Sequence, residues 1–326
     1  MTAQTPSRVL VAGSGSIATR HVRNLLTMGV EHVVVLSTRD LRSTHPFDDA
    51  RVTGTTVLGT DCPEVAIVAN ESSLHVQTAR RLLDAGAHVL IEKPLAIGVS
   101  RGLLDLVRDV AATDRVVRVA YNLRFLGAIG RIASLLRDGT IGAPLFVRIE
   151  AGQWLPDWRP GRDYRDGYSA SASRGGGVAL DLSHEIDYMR MLLGMPTAWS
   201  TYRAVTGLLD GDSEDVFEGV YSFDDGALCS VHLDYLERQP RRRIRIVGSA
   251  GTIECDIPGQ RLDVSTGGTV TALGEPDLFD VERTYIREVE AFLAEIEGTP
   301  AGLPTLEDAV DVLRLLRDPN GGGADV

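Results

Sequence analysis

The chain has 326 residues, of which 44% are hydrophobic and 24% are charged, and its formal net charge at pH 7 is −12. Two domains, or one large one, are expected from this length, and the composition is that of an ordinary globular protein. Because phosphate backbones are bound by basic surfaces, the acidic charge argues against a nucleic-acid partner.

The three cysteines also limit the class of protein. Cys62, Cys229 and Cys255 are far apart and form no CxxC pair, so we expect neither a disulfide framework nor a zinc or other metal site. The amino-terminal residues lack the basic and apolar segments of a signal peptide, and no apolar run approaches the roughly 18 residues of a membrane helix. These patterns predict a cytoplasmic protein without a membrane partner.

The first 121 residues alternate short apolar segments with segments of helical spacing. Strands are predicted at 8–12, 32–36, 65–69, 88–92 and 116–120. Gly29 and Gly86 stand where two of the intervening helices should end. Strands that alternate with helices form βαβ units, so residues 1–121 are predicted to be an α/β domain with a doubly wound parallel sheet of the Rossmann type.

Beyond residue 121 the pattern becomes one of strands joined by short turns. A helix is predicted at 125–138, followed by strands at 145–151, 201–205, 216–223, 227–234, 243–247 and 252–256. The turns at 224–226 and 248–251 join neighbouring strands, which favours a largely antiparallel sheet. We assign residues 122–318 to this second domain and the glycine-rich residues 319–326 to a disordered tail.

A glycine-rich segment directly follows the first predicted strand. It reads Gly13-Ser14-Gly15-Ser16-Ile17-Ala18, the GxGxxA form of the dinucleotide-binding fingerprint. Gly13 permits a tight turn, Gly15 lets the backbone approach a pyrophosphate, and Ala18 keeps the following helix close to the sheet. The helix N-terminus offers N–H groups and a partial positive charge to the phosphates. The predicted cofactor contacts are Gly13, Gly15, Ser16, Ile17 and Ala18; the alternative is a turn without a ligand.

The end of the second predicted strand bears on the choice between NAD and NADP. A carboxylate there would hold the ribose 2′-hydroxyl of NAD, whereas Ser37, Thr38 and Arg39 suit the 2′-phosphate of NADP. We therefore predict that these three residues contact the cofactor, and we favour NADP over NAD. Asp40 is close enough along the chain to serve NAD instead, and Arg39 can equally be a solvated loop residue.

Lys93 is the sole lysine of the chain, since every other residue in the Lys+Arg total is arginine. It stands in Glu92-Lys93-Pro94, at the carboxyl end of the predicted strand 88–92, which is the edge where ligands bind in doubly wound sheets. An ammonium group is a compact proton donor that titrates, which a guanidinium is not. A lysine kept where arginine stands everywhere else indicates a catalytic residue; the alternative is a surface-loop lysine.

A second candidate set follows the run Gly175-Gly176-Gly177. A helix over 181–193 would place Asp181, His184 and Tyr188 on one face, because they are three or four residues apart. A carboxylate one turn from an imidazole can orient it and hold its tautomer, as a general base requires. The alternatives are a helix N-cap for Asp181 and a hydrogen-bonded core residue for His184.

Two further segments are candidates for substrate contacts. Trp154, Arg159, Tyr164 and Tyr168 precede the three glycines, and aromatic faces with arginine forks suit sugar rings and phosphates. The alternative for this stretch is a loop staple or a subunit contact. The arginine run at 241–243 is interpreted as a solvated strand end, with a grip on a phosphorylated substrate as the alternative.

Taken in order, these motifs resemble the Gfo/Idh/MocA oxidoreductases. The match extends from GSGSIATRH through IEKPLA and GGG…DLSHEID to GSAGTIECD. The resemblance implies a Rossmann domain followed by a substrate-binding α/β domain with an open, mostly antiparallel sheet, often used to form a homodimer or homotetramer. Family members mostly oxidise or reduce a carbinol of sugars, inositols or nucleotide-linked sugars with a nicotinamide cofactor.

The resemblance also assigns residues. Lys93 would be the catalytic lysine, and His184 with the preceding aspartate would be the acid–base pair, although Asp181 lies three positions before His184 where the family commonly has four. Segment 69–75 matches the family's turn after the fourth strand, where TPN is commoner, and segment 121–125 matches the stretch near the nicotinamide and substrate. By this match the cofactor contacts include Asn70, Ser73, His75, Glu92, Lys93 and Asn122, and Arg124 contacts the substrate.

The reaction implied is hydride transfer between a nicotinamide and a carbinol or keto carbon. His184 would exchange the proton of the neighbouring hydroxyl, and Lys93 would stabilise the charge that develops on its oxygen. Two other classes resemble the family: hydrolases or isomerases that keep NAD bound, and non-catalytic dinucleotide-binding regulators. A regulator needs neither Lys93 nor His184, and stoichiometric cofactor turnover separates the two enzyme classes.

Overall fold

A computed structural model describes residues 4–39, 41 and 46–319 of the chain. The chain forms two compact units. The first comprises the residues up to Asn122 together with Glu282–Val310, and the second comprises Leu123–Val281 together with the residues from Asp311 onwards. Asp40, considered above as an NAD contact, and residues 320–326 of the predicted tail lie outside the described residues.

The first unit contains a six-stranded sheet in which all neighbouring strands are parallel. The strands are β1 Arg8–Ala12, β2 His32–Leu36, β3 Val52–Thr55, β4 Val65–Val68, β5 His88–Glu92 and β6 Val117–Ala120. They lie in the order β3-β2-β1-β4-β5-β6, as in doubly wound dinucleotide-binding domains. Every residue of β4 and β5 is buried, since a parallel sheet is covered on both faces. The predicted Rossmann sheet is confirmed.

Three helices alternate with these strands. They are α1 Ser16–Thr27, α2 His75–Asp84 and α3 Arg101–Ala111. Ala18, Val22 and Leu25 form the buried face of α1 at helical spacing. Gly29 follows α1 with a φ of +90°, a left-handed conformation that favours glycine at a helix end. The sequence pattern does not indicate β3, because none of its residues is buried and no apolar alternation marks it.

The second unit is built on an eight-stranded sheet. Its strands are β7 Pro144–Gly152, β8 Ala198–Ala204, β9 Val216–Ser222, β10 Leu228–Asp234, β11 Arg241–Gly248, β12 Gly251–Asp256, β13 Arg261–Thr266 and β14 Thr269–Leu273. The order is β14-β13-β12-β11-β7-β10-β9-β8, and only β7 and β10 run parallel. The predicted, largely antiparallel sheet is therefore confirmed. Strands β13 and β14 extend it beyond the last predicted strand.

Among the described residues, five more α-helices follow α3. They are α4 Gly127–Arg137, α5 Val178–Asp181, α6 His184–Leu193, α7 Val281–Ile296 and α8 Leu306–Leu315. α5 contacts β9 and β10, and α6 contacts β7, so these two helices lie on one face of the second sheet. Among the helices of the described ranges, none has both the length and the apolar character of a membrane span.

Residues 282–310, which the linear prediction assigns to the second domain, belong to the first unit in the structure. The Asn122 amide donates to Thr284 Oγ1 at 2.6 Å, and Arg118 Nε donates to a Glu295 carboxylate oxygen at 2.5 Å. The backbone N–H of Val119 donates to the carbonyl of Pro304 at 3.0 Å. The returning chain thus contacts the edge strand β6, which pairs with β5 on one side, and accepts the Val119 N–H from it.

Candidate active site

The turn after β1 can be made only with glycine at its first position. Gly13 has a φ of +129°, and a Cβ atom there would lie 2.3 Å from the carbonyl oxygen of Ala69. The backbone N–H of Gly13 donates to the carbonyl of Leu36 at 2.9 Å. The turn is therefore pressed against the ends of β2 and β4, and any side chain at this position would force it away from the sheet.

Gly15 meets a different requirement. It is the residue before α1, and a Cβ atom added to it would have no neighbour within 4 Å. Gly15 and Ser16 are exposed, Ile17 is half-buried and Ala18 is buried against the sheet. The first turn of α1 contains no acidic residue and no side-chain cap, so the helix itself does not offset the partial positive charge at its N-terminus. These residues fit a dinucleotide pyrophosphate.

The end of β2 is tied to this turn through hydroxyl groups. Ser37 Oγ donates to Ser14 Oγ at 2.9 Å and accepts the backbone N–H of Arg39 at 3.1 Å. Thr38 and Arg39 are exposed. The structure thus places Ser37 against the glycine-rich turn and leaves Thr38 and Arg39 at the surface beside it.

The turn after β4 is braced by a buried histidine. The ring nitrogens of His75 face two backbone carbonyls, with Nδ1 2.8 Å from Pro94 O and Nε2 3.2 Å from Asn70 O. Burial lowers the pKa of His75 in spite of these two acceptors, so the neutral ring donates to one of them. The Asn70 side chain donates to Thr78, whereas Ser73 is exposed. Of the three predicted cofactor contacts, two therefore have structural partners within the unit.

Glu92 is also bound within the first unit. Its buried carboxylate lies 2.6 Å from Nε2 of the fully buried His21 and accepts the backbone N–H of Lys93 at 3.2 Å. Glu288 lies beside this pair, and the three side chains bring one ligand atom each within 4.8 Å of one another. The separation of 2.6 Å is that of a hydrogen bond, whereas two ligands of one metal ion lie about 3 Å or more apart. We interpret the His21–Glu92 contact as a hydrogen bond.

Lys93 follows β5 directly and is half-buried. Its backbone N–H is held by Glu92, and the next carbonyl, that of Pro94, faces His75. The peptide bond between Lys93 and Pro94 is cis. Two buried side chains, Glu92 of β5 and His75 of α2, therefore contact the backbone on either side of the sole lysine of the chain.

In the second unit, Asp181 and His184 flank a break between two helices. Asp181 is the last residue of α5 and His184 is the first residue of α6, with Leu182 and Ser183 between them. The continuous helix expected over 181–193 is therefore wrong, and Asp181 is not an N-cap. The helix starts earlier because the backbone N–H of Val178 donates to the carbonyl of Glu214 at 3.0 Å, and it is interrupted at Leu182.

The three glycines before α5 are each required by the backbone. Gly175 and Gly177 have φ values of +82° and +121°. A Cβ atom on Gly176 would lie 2.2 Å from the carbonyl oxygen of Tyr168, and one on Gly177 would lie 2.4 Å from a Glu214 carboxylate oxygen. This turn packs against the backbone of Tyr168 and leads into α5, whose last residue is Asp181.

A tyrosine hydroxyl holds the Asp181 carboxylate. The Tyr235 hydroxyl donates to Asp181 Oδ2 at 2.6 Å, and the Tyr168 phenol lies close enough to feel the charge of this carboxylate. The negative charge of Asp181, together with burial, raises the pKa of Tyr168, and burial followed by the same charge raises the pKa of Tyr235. Both phenols therefore stay protonated and remain donors. His184 is buried to 8% exposure at the start of the next helix.

The predicted aromatic stretch surrounds this carboxylate in part. The Arg159 guanidinium lies 5.1 Å from the centre of the Tyr168 ring, and the Trp158 ring meets Tyr235 edge-on at 5.2 Å. Trp154 lies under the guanidinium of Arg238 at 3.4 Å, and the Tyr164 hydroxyl accepts the backbone N–H of Asp210 at 2.9 Å. The structure thus brings Arg159 and Tyr168 to Asp181, while Trp154 and Tyr164 contact other partners.

Buried ion pairs hold α6 in place. Arg124 makes a two-pronged pair with the carboxylate of Asp187 at 2.8 and 2.7 Å, and Arg242 Nε lies 2.8 Å from the fully buried Glu185. The Tyr188 hydroxyl donates to the same Glu185 carboxylate at 3.2 Å. The predicted substrate residue Arg124 is therefore bound to the fold itself. Tyr235, Asp187 and Glu185 carry no sequence signal that singles them out. Arg242 belongs to the arginine run at 241–243, and its pairing with a buried carboxylate differs from the solvated strand end expected there.

The six-stranded sheet and the open turn at its first helix define an NAD(P)-binding Rossmann protein. Residues 7–121 match the model of the oxidoreductase family with an NAD-binding Rossmann fold, and residues 129–254 match the GFO/IDH/MocA C-terminal domain. The chain belongs to the Gfo/Idh/MocA oxidoreductases.

Similar proteins include enzymes of sugar metabolism. D-xylose 1-dehydrogenase (NADP(+)) 2 of Haloferax volcanii is 25% identical over 267 residues, which are 80% of this chain and 78% of that protein. 1,5-anhydro-D-fructose reductase of Ensifer adhaerens is 27% identical over 261 residues, 76% and 73% of the two chains. A solved oxidoreductase from Agrobacterium radiobacter, in complex with NAD+, L-tartaric acid and magnesium, has a TM-score of 0.80 at 18% identity and covers 95% and 94% of the chains. This last likeness concerns the fold.

Proposed function

We propose that the protein transfers a hydride between a nicotinamide cofactor and a carbinol or keto carbon of a sugar, nucleotide sugar or cyclitol. The observation that carries the proposal is the position of Lys93. The sole lysine of the chain stands at the carboxyl end of β5 in an NAD(P)-binding Rossmann unit, with its backbone held by Glu92. Ligands bind beyond this edge in doubly wound sheets.

The chain's own residues have distinct roles in this proposal. The bound nicotinamide supplies the hydride chemistry. The N–H groups at the start of α1 hold the pyrophosphate, with room provided by Gly15. Lys93 donates a hydrogen bond to the reacting oxygen, and His184 gives or takes its proton. Asp181, held by the Tyr235 hydroxyl, supplies a negative charge three residues before His184.

For the cofactor we favour NADP. Thr38 and Arg39 are exposed at the end of β2, and Ser37 is joined to the glycine-rich turn. A guanidinium and a hydroxyl at this place suit a 2′-phosphate. Arg39→Ala should weaken NADP(H) by about tenfold and leave NAD(H) unchanged, because only the former offers the charged partner. Equal losses for both cofactors in titration would rule out a 2′-phosphate contact.

We also propose a cytoplasmic homodimer or homotetramer formed through the outer face of the second sheet. This face exposes neighbouring apolar side chains: Leu228 is 48% exposed, its register partner Phe146 is 37% exposed, and Val220 on β9 is 50% exposed. Contiguous exposed apolar side chains mark interaction surfaces. Light scattering at micromolar concentration should give at least twice the chain mass, and a monomer would contradict the proposal.

The direct test is a screen of nucleotide sugars, free sugars and cyclitols for a change in nicotinamide absorbance. With the substrate identified, one cofactor should be reduced or oxidised for each substrate converted. Product formed without net cofactor turnover would instead indicate a non-redox reaction with held NAD.

A further inference from the structure

The second unit contains a cavity of about 330 Å³ beside the end of β7. Residues from the start of β11 and from the turn between β12 and β13 also line it. Its polar lining consists of Gln153, Arg241, Arg242 and Gln260, with Trp158 as the aromatic wall. The ionisable side chains in the lining are the two arginines, which offer guanidinium donors to the cavity, while the glutamates that pair with them lie outside the lining.

The cavity adjoins the break between α5 and α6. Leu182, which lies between Asp181 and His184 in the chain, forms part of its lining. The Trp158 ring packs edge-on against Tyr235, whose hydroxyl donates to Asp181. Two separate routes therefore connect the cavity wall to the proposed acid–base pair, and both lie within the second unit.

The two arginines are held to different degrees. Arg242 Nε lies 2.8 Å from the fully buried carboxylate of Glu185, which fixes the guanidinium in place. Arg241 makes only long contacts, 3.4 Å to Glu150 and 3.4 Å to Glu237, and its side chain is 40% exposed. Partly exposed ion pairs of this length contribute little to stability. Arg241 can therefore exchange them for a well-placed anion, to which an arginine fork binds in two prongs.

Gln260 reaches the cavity wall from an unusual backbone conformation. Its φ is +50°, in the left-handed region that glutamine seldom adopts, although Gly259 directly precedes it. The backbone N–H of Gln260 closes the turn to the carbonyl of Ile257 at 3.1 Å. The turn would be less strained with glycine at this position, so the glutamine amide occupies it at a conformational cost.

We propose that this cavity is a specificity pocket that selects a monosaccharide-sized substrate carrying an anionic group, a carboxylate or a phosphate ester. Arg241 pairs with the anion, Arg242, held by Glu185, offers its remaining N–H donors, and Gln260 hydrogen-bonds a neighbouring hydroxyl. The volume is at the lower end of ligand pockets, which span about 300–1,000 Å³, so it suits one sugar ring. The inference rests on the proposed function, because it names the substrate class of that site.

The first experiment measures binding to the full-length protein by calorimetric titration with D-glucuronate, D-glucose 6-phosphate and D-glucose. At least one of the two acidic sugars should bind about tenfold or more tightly than D-glucose, since a charge-assisted hydrogen bond is gained. Preference for D-glucuronate identifies a carboxylate as the anion, and preference for D-glucose 6-phosphate identifies a phosphate ester. Equal affinity for all three sugars overturns the proposal.

Two variants of matched chemistry sharpen this test. Arg241→Gln should abolish the preference for the acidic sugar and leave D-glucose binding unchanged. Arg245→Gln, on the same strand but lining a different cavity, should keep the preference. A loss of the preference in Arg245→Gln, or its survival in Arg241→Gln, contradicts the assignment of Arg241.

Gln260→Gly separates a binding role from a structural one. Glycine suits the left-handed backbone, so the stability of the variant should not fall. KM for the acidic substrate should rise roughly fivefold with kcat unchanged, because one hydrogen bond to bound substrate is lost. Unchanged KM in a fully stable variant counts against the pocket.

Failure of this inference and failure of the proposed function are distinguishable. Cofactor turnover with neutral and acidic sugars at equal KM would retain the oxidoreductase and exclude the pocket. Arg241-dependent binding of an acidic sugar without any cofactor turnover would retain the pocket and exclude the oxidoreductase.

Discussion

The two segments that carry the proposed catalytic residues are held in opposite ways. Around Lys93, buried side chains bind the backbone: Glu92 accepts the Lys93 N–H, and His75 faces the carbonyl of Pro94. Around Asp181, a buried side chain binds a side chain, because the hydroxyl of Tyr235 donates to its carboxylate at 2.6 Å.

The difference follows from what each segment must deliver. A lysine that donates to a reacting oxygen needs a fixed backbone and an ammonium group that can move, so contacts to its backbone are enough. A buried carboxylate needs donors on its own oxygens, since burying a charge without hydrogen bonds costs several kcal/mol. Substitutions should therefore disturb the first segment through geometry and the second through charge stabilisation.

The largest expected effect is that of Lys93→Arg. The charge is kept, but guanidinium is bulkier and does not readily give up a proton, so turnover should fall on the order of 100-fold or more. Cofactor affinity should change little, because the pyrophosphate contacts that we propose lie at Gly13–Ala18. His184→Ala should likewise reduce turnover and spare cofactor binding in titration. Near-normal turnover of Lys93→Arg would show that the lone lysine is a compositional accident.

The next largest effect is expected for Tyr235→Phe, which removes a hydroxyl donor from Asp181. A buried carboxylate that loses a donor should cost about 1–3 kcal/mol of unfolding free energy. Turnover should fall about tenfold. Urea denaturation measures the first effect and steady-state kinetics the second, on the same preparation.

Tyr221→Phe provides the matched control. Tyr221 is buried in the same unit, but its hydroxyl donates to the backbone carbonyl of Leu315 at 3.0 Å. It should lose stability without a specific loss of turnover. A similar fall in turnover in both variants would mean that Tyr235 acts only through folding.

His75→Leu tests the brace on the Lys93 backbone. The ring contact with the buried carbonyl of Pro94 would be lost, and the carbonyl to which the ring donates, that of Pro94 or of Asn70, would lose its donor. We therefore expect a loss of about 1–3 kcal/mol in unfolding free energy together with reduced kcat. His75→Gln restores a donor and should recover part of both. Unaltered kcat in His75→Leu would mean that the brace does not position Lys93.

Because of His75, we also expect the stability of the fold to fall in acid. Burial lowers the pKa of His75, so the fold holds the neutral ring. Its contribution to stability is complete above the unfolded pKa of about 6.5 and is lost as pH falls towards the lower folded pKa. Denaturation midpoints should therefore fall more steeply below pH 6.5 in the wild type than in His75→Leu.

The smallest effect is expected for His232 in the second unit, whose pKa is shifted upwards where that of His75 is shifted downwards. Its ring lies 3.2 Å from Asp234 and 2.6 Å from Glu218, and the hydrogen bonds to these carboxylates raise its pKa to about 9 against the effect of burial. Its contribution to stability is complete below about pH 6.5 and is lost as pH rises through 9.

His232→Gln should accordingly be about 1 kcal/mol less stable than the wild type at pH 6, a modest value because the pair is partly exposed. The difference should shrink by pH 10. A difference that does not vary with pH would exclude titration of His232 as its cause.

Much of the fold is encoded in local sequence patterns. The buried strands β1, β4 and β5 are apolar runs, and apolar alternation marks the central strands of the second sheet. Edge strands such as β3 and β14 carry few buried residues and so no such pattern. A strand is recognisable in the sequence when burial of its side chains imposes an apolar run or alternation.

The candidate site divides along the same line. Gly13 and Gly15 are recognisable because a tight turn before a helix restricts residue type at fixed spacing. The break between Asp181 and His184 is not, because the contacts beside it join distant parts of the chain: Val178 donates to the carbonyl of Glu214, and the Tyr235 hydroxyl donates to Asp181, 54 residues away.

The sequence by itself therefore determined the parallel sheet, the dinucleotide turn and the prominence of Lys93, all of which follow from periodicity, spacing or composition. Only the tertiary structure decided that Glu92 and His75 serve as braces, that Arg124 is paired with Asp187, and that Thr284 packs back on the first unit 162 residues from Asn122. The physical reason is that a polar side chain takes whichever partner the folded chain brings to it. That partner is set by long-range packing, on which local spacing carries no information.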